Sequence, residues 1–241
     1  MKIIDFKNTV ILINKEMKHY LNTAPAYILI SIFLLITGYF FAQPLFLTNE
    51  ANLNSLTEII PLILTFFAPA LSMRLIAEEK KTQTIEVLLT LPFTEEEIII
   101  SKYISASIII ISSIIFMFPY VTTLYFLSSP DTGHIVGSLA SIVLCSLSFL
   151  SIGVFASTIS SSQITAFIIG FGISFVFYLV GKVAPFMPLH IQGLISYIGI
   201  DLHISNMARG VIDIKDIIYF FSLIIFFIYL GICRLKNMRI R

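Results

Sequence analysis

The chain has 241 residues, a net charge of +1 and 57% hydrophobic residues, and its mean hydropathy is +0.96. This composition excludes an ordinary soluble domain, and the near-zero net charge excludes the broad basic surface of a nucleic-acid-binding protein. A run of about 18 or more apolar residues can cross a bilayer as a helix. Such runs predict an all-α membrane protein with six spans, at residues 26–42, 56–77, 99–127, 135–158, 164–181 and 217–233.

The positive charges predict the orientation of these spans. Lys and Arg residues cluster before the first span, between the second and third, and after the sixth. Six spans put all three clusters on one side, and loops rich in Lys and Arg stay in the cytoplasm. We therefore expect a multi-pass protein of the cytoplasmic (inner) membrane with both termini in the cytoplasm. The clusters are Lys2, Lys7, Lys15 and Lys18; Arg74, Lys80, Lys81 and Lys102; and Arg234, Lys236, Arg239 and Arg241.

Residues 3–21 are predicted to form an amphipathic helix ahead of the first span. Apolar residues recur at helical spacing on one stripe, which includes Val10 and Leu21, whereas Lys7 and Lys18 fall on another face. A helix of this kind lies in the membrane interface, with its lysines beside anionic headgroups. The alternative is a surface helix of a soluble region.

The second span contains two prolines. Ser55, with Glu58 three residues later, has the pattern of a capping box and predicts where this span begins. Pro61 and Pro69 each remove a backbone hydrogen bond and should bend the helix. They are candidate gating points, although ordinary bends of a membrane helix with no gating role explain them equally well.

Residues 73–105, called the polar island below, interrupt the apolar sequence between the second and third spans. Their charged side chains cannot lie in lipid and must face water. A helix is predicted over residues 78–89, with its apolar residues on one face and Glu79, Gln83 and Glu86 on the polar side.

Local signals predict where the helices around the island end and begin. The Leu91–Pro92 pair should end the helix over residues 78–89. Thr94 and Glu97 then form a second capping box, which starts the third span in water, ahead of the membrane. Pro119 should kink the outer half of that span.

The fourth and fifth spans carry small residues at every fourth position. Gly137 and Gly153 follow this pattern in the fourth span, and Gly170 follows it in the fifth. Such stripes let helix backbones approach closely, so we expect the two spans to form a tight antiparallel hairpin.

Residues 184–213 are too apolar for a free loop and too broken by proline and glycine for a span. We expect short helices that dip into the outer leaflet. Asp201 should cap one helix that ends near Arg209 and Gly210, and Asp213 should cap the last span.

Several chemistries are excluded by what the sequence lacks. No ionisable residue falls in the middle of a span, which argues against an ion-coupled carrier or an acid-lined channel. The sequence has no G-x-x-x-x-G-K-[ST] phosphate loop and no G-x-S-x-G motif, so we predict a non-catalytic chain that binds no cofactor. Asp201 and His203 could supply two metal ligands, but a capping aspartate beside an interfacial histidine explains them too, and we expect no metal.

Several sequence patterns resemble those of a known family. The pattern R-L-x-A-E-E-K-K-T-x-T-x-E-x-L-L-T-x-P at residues 74–92, followed by S-K-Y at 101–103, resembles the first cytoplasmic loop of ABC-2 type transporter permeases. The patterns G-I-D-x-H at 199–203, R-G-V-I-D at 209–213 and D-x-x-Y-F at 216–220 are similar to the gliding-motility-associated branch of that family. The family usually has glycine between the two threonines of the loop, where this chain has Gln83, and we expect a more regular helix there.

The resemblance implies the permease subunit of an export-type ATP-binding cassette transporter. It implies a partner permease, which is a second copy or a homologue, and two separate ATPase subunits that carry ATP and Mg and dock on the cytoplasmic loops. The alternatives are an ATPase-coupled mechanical transmitter that acts on envelope proteins without solute transport, and a structural membrane-assembly protein. The predicted coupling region is 78–97, with the coupling residues Glu78, Glu79, Lys80, Lys81, Thr82, Gln83, Thr84, Glu86, Leu88, Leu89 and Pro92.

Overall fold

The computed structural model describes residues 6–47, 53–127 and 131–239. Lys2, Arg241 and residues 3–5 of the predicted amphipathic helix lie outside these ranges. Across the described residues the regular structure is helical, without strands, which confirms the all-α prediction. The elements are α1 (Phe6–Asn22), α2 (Ala24–Leu47), α3 (Asn54–Ser72), α4 (Ala77–Lys81), α5 (Thr84–Thr90), α6 (Glu95–Ile115), α7 (Phe118–Leu127), α8 (Thr132–Ile159), α9 (Gln163–Val183), a 3₁₀ helix (Ala184–Phe186), α10 (Leu189–Ile198), α11 (Ile200–Ala208) and α12 (Ile214–Arg239).

Six segments of the described chain are long and apolar enough to cross a membrane, as predicted. The third combines α6 and α7, which are separated at Phe116 and Met117, just before Pro119. The predicted interruption by this proline is therefore confirmed. Consecutive spans run in opposite directions, so α1, α4, α5 and the last turns of α12 lie at the same end of the bundle, called the island end below.

The helix α8 is the centre of the bundle and packs against α3, α6, α9, α11 and α12. Its small residues lie where backbones meet, as the sequence pattern predicts. A Cβ atom on Gly137 would overlap the Met207 carbonyl oxygen, and one on Gly153 would overlap the Ser72 hydroxyl. Glycine is thus what allows α11 and α3 to approach α8 this closely.

The helix α1 packs on α6 and α2 through a stripe of buried side chains that includes Leu12, Glu16 and Tyr20. Val10 and Leu21, from the predicted apolar stripe, remain 37% and 52% exposed. A helix lying on lipid needs apolar side chains on its free side. The exposed stripe fits an interfacial position, which stays a prediction.

The second span starts differently from the prediction. Leu53 is the N-cap residue of α3 and no side chain caps this helix, so the predicted Ser55–Glu58 capping box is wrong. The helix begins before Ser55, whose own amide is already inside the first turn. Pro61 and Pro69 lie within α3, as expected. Their role in gating stays a prediction.

The segment between α9 and α12 folds into short helices, as expected. Gly210 follows α11 with a left-handed φ of 84°, which confirms the predicted glycine stop. Asp201 does not cap α11, because Gly199 is the N-cap residue and Asp201 lies inside the first turn. Asp213 does cap α12: its carboxylate accepts a hydrogen bond from the Lys215 amide at 3.3 Å, and this bond lowers the pKa of Asp213.

We expect Gly137→Ala to lower the free energy of unfolding by about 1–3 kcal/mol, because the added methyl group overlaps a backbone carbonyl that cannot rotate away. Thermal unfolding of the purified protein in mild detergent measures this. Gly172→Ala is the matched control, since nothing lies within 4 Å of the position its Cβ would take. Equal stability of the two variants would contradict the close approach of α8 and α11.

Candidate functional site

The polar island folds as two short helices rather than one. The helix α4 ends at Lys81 and α5 begins at Thr84, so the predicted continuous helix over residues 78–89 is wrong. Gln83 lies between them with a left-handed φ of 59°. Glycine adopts this conformation without strain. The expectation of a more regular helix at Gln83 is therefore also wrong, since the chain makes the turn that suits glycine without having a glycine.

Hydrogen bonds around two threonines hold this turn. The Thr82 hydroxyl donates to the Glu78 carbonyl at 3.0 Å and lies 2.9 Å from the Thr84 hydroxyl. The Gln83 amide donates to the Lys80 carbonyl at 3.2 Å. A left-handed residue other than glycine costs about 1–2 kcal/mol. The contacts of the turn must offset that cost.

The helix α5 has an inner and an outer face. Ile85 and Leu88 are buried in the core, as the sequence pattern predicts. The outer face includes one exposed apolar side chain that the sequence pattern did not mark, Val87 at 63%, and Leu91, directly after the helix, is 41% exposed. We call this surface the exposed strip; it comprises Lys81, Thr82, Gln83, Thr84, Glu86, Val87, Thr90, Leu91 and Pro92.

Lys102 of α6 is the buried centre of an ion-pair cluster that joins three helices. Its ammonium donates to Glu16 Oε1 of α1 at 2.9 Å and to Glu79 Oε1 of α4 at 2.8 Å. Lys15 lies 3.9 Å from Glu79 at the rim. Glu79 is thus turned inward, and its predicted position on the outer polar side with Glu86 is wrong. Its partners are distant in sequence, so helical spacing alone could not identify them.

The helix α4 is also fixed to α8. The Ser157 hydroxyl accepts from the amides of Ile76 and Ala77 at 2.9 and 3.0 Å, so a side chain of α8 satisfies the first amides of α4. The Lys80 ammonium donates to the Thr158 carbonyl near the end of α8. As a result α4 is held by α1, α6 and α8, whereas the outer face of α5 remains exposed.

The Thr94–Glu97 capping box starts α6, as predicted. The Glu97 amide donates to the Thr94 hydroxyl at 3.2 Å, and the Thr94 amide donates to Glu97 Oε2 at 2.9 Å. Glu95 and Glu96 lie in the first turn, where negative charge is favourable. The chain therefore passes from the exposed strip into the third span through a fixed helix start.

The predicted outer residues separate into two pairs. His203 is buried, with its ring nitrogens 2.6 Å from an Asp216 carboxylate oxygen and 3.1 Å from the Tyr197 carbonyl. Asp201 pairs instead with Lys182 at 2.7 Å. Asp201 and His203 thus face different partners, and the described ranges hold no group of three His, Cys, Asp or Glu side chains that could bind a metal. The remaining outer residues, Arg209 and Asp213, are exposed.

Six apolar spans with a polar strip exposed at one end define a multi-pass membrane protein. The chain matches the ABC-2 family transporter proteins over residues 7–232, and it belongs to this family. A search of curated proteins gives no match. Members of the family are generally the non-catalytic transmembrane permease subunits of ABC transporters, and the family implies a partner ABC ATPase. The resemblance to the family is thereby confirmed, and its gliding-motility-associated branch stays a prediction.

We expect Gln83→Val to destabilise the protein by about 1–2 kcal/mol, because a β-branched residue tolerates a left-handed backbone poorly. Gln83→Gly is the control, and it should be more stable than Gln83→Val by at least about 1–2 kcal/mol. Thermal unfolding in detergent compares the two. Equal stability would mean that residue 83 is not left-handed in solution.

We expect Lys102→Ala to lower the free energy of unfolding by about 3–5 kcal/mol, since it leaves two carboxylates without their cation. Lys81→Ala, on the exposed strip, should change it by less than about 0.5 kcal/mol. Replacing the whole cluster, with Lys102→Met, Glu16→Gln and Glu79→Gln together, should recover most of the loss. A Lys102→Ala protein as stable as the Lys81→Ala control would show that the cluster contributes little.

Proposed function

We propose that this chain is the permease subunit of an export-type ABC transporter in the cytoplasmic membrane, and that the exposed strip is the docking surface for its separate ATPase. The observation that carries the proposal is the outer face of α5, where Val87 is 63% exposed on the same strip as the exposed Glu86 and Lys81. An exposed apolar side chain within a polar rim is typical of a contact between proteins. The strip lies beyond the apolar part of the spans, where a soluble subunit could reach it.

The contacts of α4 support transmission of force from the strip to the spans. This helix is joined to α1 and α6 through Lys102 and to α8 through Ser157. Packed elements tied in this way move together rather than deform gradually. Closure of the ATPase pair would push α5, and α4 would carry that push to the neighbouring helices. Pro61 and Pro69 in α3 are the proposed bending points.

The proposed assembly contains two permeases, the second being another copy or a homologue, and two ATPase subunits that bind ATP and Mg. The burial of the spans supports a second permease. Only 17% of the first span and 22% of the fifth are buried within the chain, against 67% of the fourth. The first and fifth spans therefore keep surface for a partner permease as well as for lipid.

We propose that the island end faces the cytoplasm. Charged side chains at this end include Lys15, Lys18, Lys81 and Lys236, all of them exposed. Loops and helix ends rich in Lys and Arg remain on the cytoplasmic side. This orientation puts the exposed strip where ATP is available.

We also propose membership of the gliding-motility-associated branch. Its residue patterns come together at the opposite end of the bundle: the His203 ring stacks on Tyr219 at 3.9 Å between centroids, and its nitrogen contacts Asp216. The Tyr219 hydroxyl also hydrogen-bonds to the Ile198 carbonyl, next to Gly199. Residues from two of the three C-terminal patterns thus form one packed cluster, which supports their reading as a unit.

The test is a pair of substitutions on the strip, Glu86→Lys and Val87→Asp, in a permease co-expressed with its ABC ATPase partner. We expect each to weaken recovery of the ATPase in a mild-detergent pull-down by about tenfold, since loss of a central interface residue commonly costs more than about 1 kcal/mol. ATP hydrolysis stimulated by the permease should fall in parallel. Permease stability should not change, because both side chains are exposed.

Lys236→Glu is the matched control, because it reverses an exposed charge at the island end outside the strip. It should leave ATPase recovery within about twofold of the unmodified protein. Full ATPase recovery with both strip variants would refute the strip as the docking surface. Failure of the unmodified permease to recover any ATPase would refute the coupling itself.

A further inference from the structure

A cavity of about 430 Å³ opens at the island end between α1, the first turns of α2, the last turn of α3, and α4. Its lining includes apolar side chains, among them Ala26, Leu29 and Leu71, and polar ones, among them Arg74 and Glu79. We call it the interface cavity, because it lies where two spans reach the end of the apolar layer. A cavity with both kinds of lining at this depth suits an amphiphile better than a water-soluble ion.

Two residues that line the interface cavity each have a buried polar atom without a partner among the described residues. The two atoms are Arg74 Nε, a donor, and Glu79 Oε2, an acceptor. Buried polar groups in folded proteins are nearly always hydrogen-bonded. A ligand that suits the cavity should therefore carry one group that accepts a hydrogen bond and another that donates one.

The nearby charged groups of the described residues do not supply these hydrogen-bond partners. Glu79 Oε1 and Glu16 Oε1 are already engaged by Lys102, at 2.8 and 2.9 Å. Among the described residues no carboxylate lies within 4.0 Å of the Arg74 guanidinium. Tyr20 lies close by, but its hydroxyl donates to the Leu71 carbonyl at 3.1 Å, and burial raises the pKa of Tyr20 so that the hydroxyl keeps its proton.

We propose that the interface cavity binds a phospholipid with a primary ammonium headgroup, of the phosphatidylethanolamine type, from the leaflet at the island end. The phosphate accepts from the Arg74 guanidinium, the ammonium donates to the Glu79 carboxylate, and the acyl chains lie along the apolar lining residues. An anionic lipid without an ammonium group satisfies only Arg74. A choline headgroup carries a positive charge but has no N–H to donate.

Binding at this place would stabilise the island end. The lipid touches α1, α2, α3 and α4 together, so it adds its binding free energy to the arrangement that Lys102 already favours. The inference does not depend on ATPase docking, since the lipid is measured on the permease alone, and the interface cavity shares only Thr82 and Thr84 with the exposed strip.

The test uses the purified permease in mild detergent, equilibrated with equal amounts of phosphatidylethanolamine, phosphatidylcholine and phosphatidylglycerol. Native mass spectrometry then counts the retained lipids. We expect phosphatidylethanolamine to be retained at least about fivefold over the other two, the effect of roughly one charged contact at a membrane surface. Soluble phosphoethanolamine alone should not displace it, because it lacks the acyl chains.

Two variants separate the site from general lipid binding. Arg74→Gln should abolish the preference, and because Arg74 forms no ion pair with another described residue, this variant should remain folded. Ala70→Phe fills the cavity without changing charge and should abolish the preference as well. Lys18→Gln is the matched control. It removes an exposed charge from α1, a helix that lines the cavity, at a residue that does not line it, and should keep the preference.

Three results would overturn the proposal. The first is equal retention of phosphatidylcholine or phosphatidylglycerol by the unmodified protein. The second is a preference that survives both Arg74→Gln and Ala70→Phe. The third is displacement by soluble phosphoethanolamine alone, which would identify a headgroup site for a soluble ligand instead of a lipid site.

Discussion

The arrangement of the island end depends on one buried ammonium group. Lys102 lies on α6 with its side chain only 3% exposed, and its two carboxylate partners are 86 and 23 residues away in sequence. A charge at this depth is tolerated only when it is paired and hydrogen-bonded. The pairing therefore fixes α1 and α4 at set positions against α6, and the other contacts of the polar island are built around that arrangement.

Because of this constraint, α4 and the start of α6 are fixed against the bundle, whereas the outer face of α5 remains exposed. Ser157 and Lys80 attach α4 to α8, and the Thr94–Glu97 box fixes the start of α6. Between them, the left-handed Gln83 turns the chain so that α5 buries Ile85 and presents its other side to solvent. The exposed strip thus lies next to α4, which Lys102 joins to α1 and α6 and which Ser157 and Lys80 join to α8.

Most structural features that depend on a few neighbouring residues were predicted correctly from the sequence. The Thr94–Glu97 box, the Asp213 cap, the Gly210 stop and the six apolar runs all depend on local spacing or composition. The Ser55–Glu58 box failed although its pattern was correct, because the helix begins before Ser55. A capping pattern shows that a helix start is possible without showing that it is used.

Features that depend on long-range contacts could not be predicted in this way. The Glu79 side chain points inward because it pairs with Lys102, which also binds Glu16. Asp201 was predicted to cap α11, but its carboxylate pairs with Lys182. Gln83 was expected to favour a regular helix, yet the hydrogen bonds of Thr82 and Thr84 hold it in a glycine-like conformation.

Site-specific photo-crosslinking tests the central claim most directly. A photoreactive amino acid at Val87 should crosslink to the ATPase subunit in intact membranes, whereas the same group at Val176, which is 57% exposed on α9, should crosslink to lipid or to another permease. A specific ATPase adduct at residue 87 and none at residue 176 is the result that the account predicts. Efficient labelling at residue 87 with no ATPase adduct, in membranes where the ATPase is present, would contradict it.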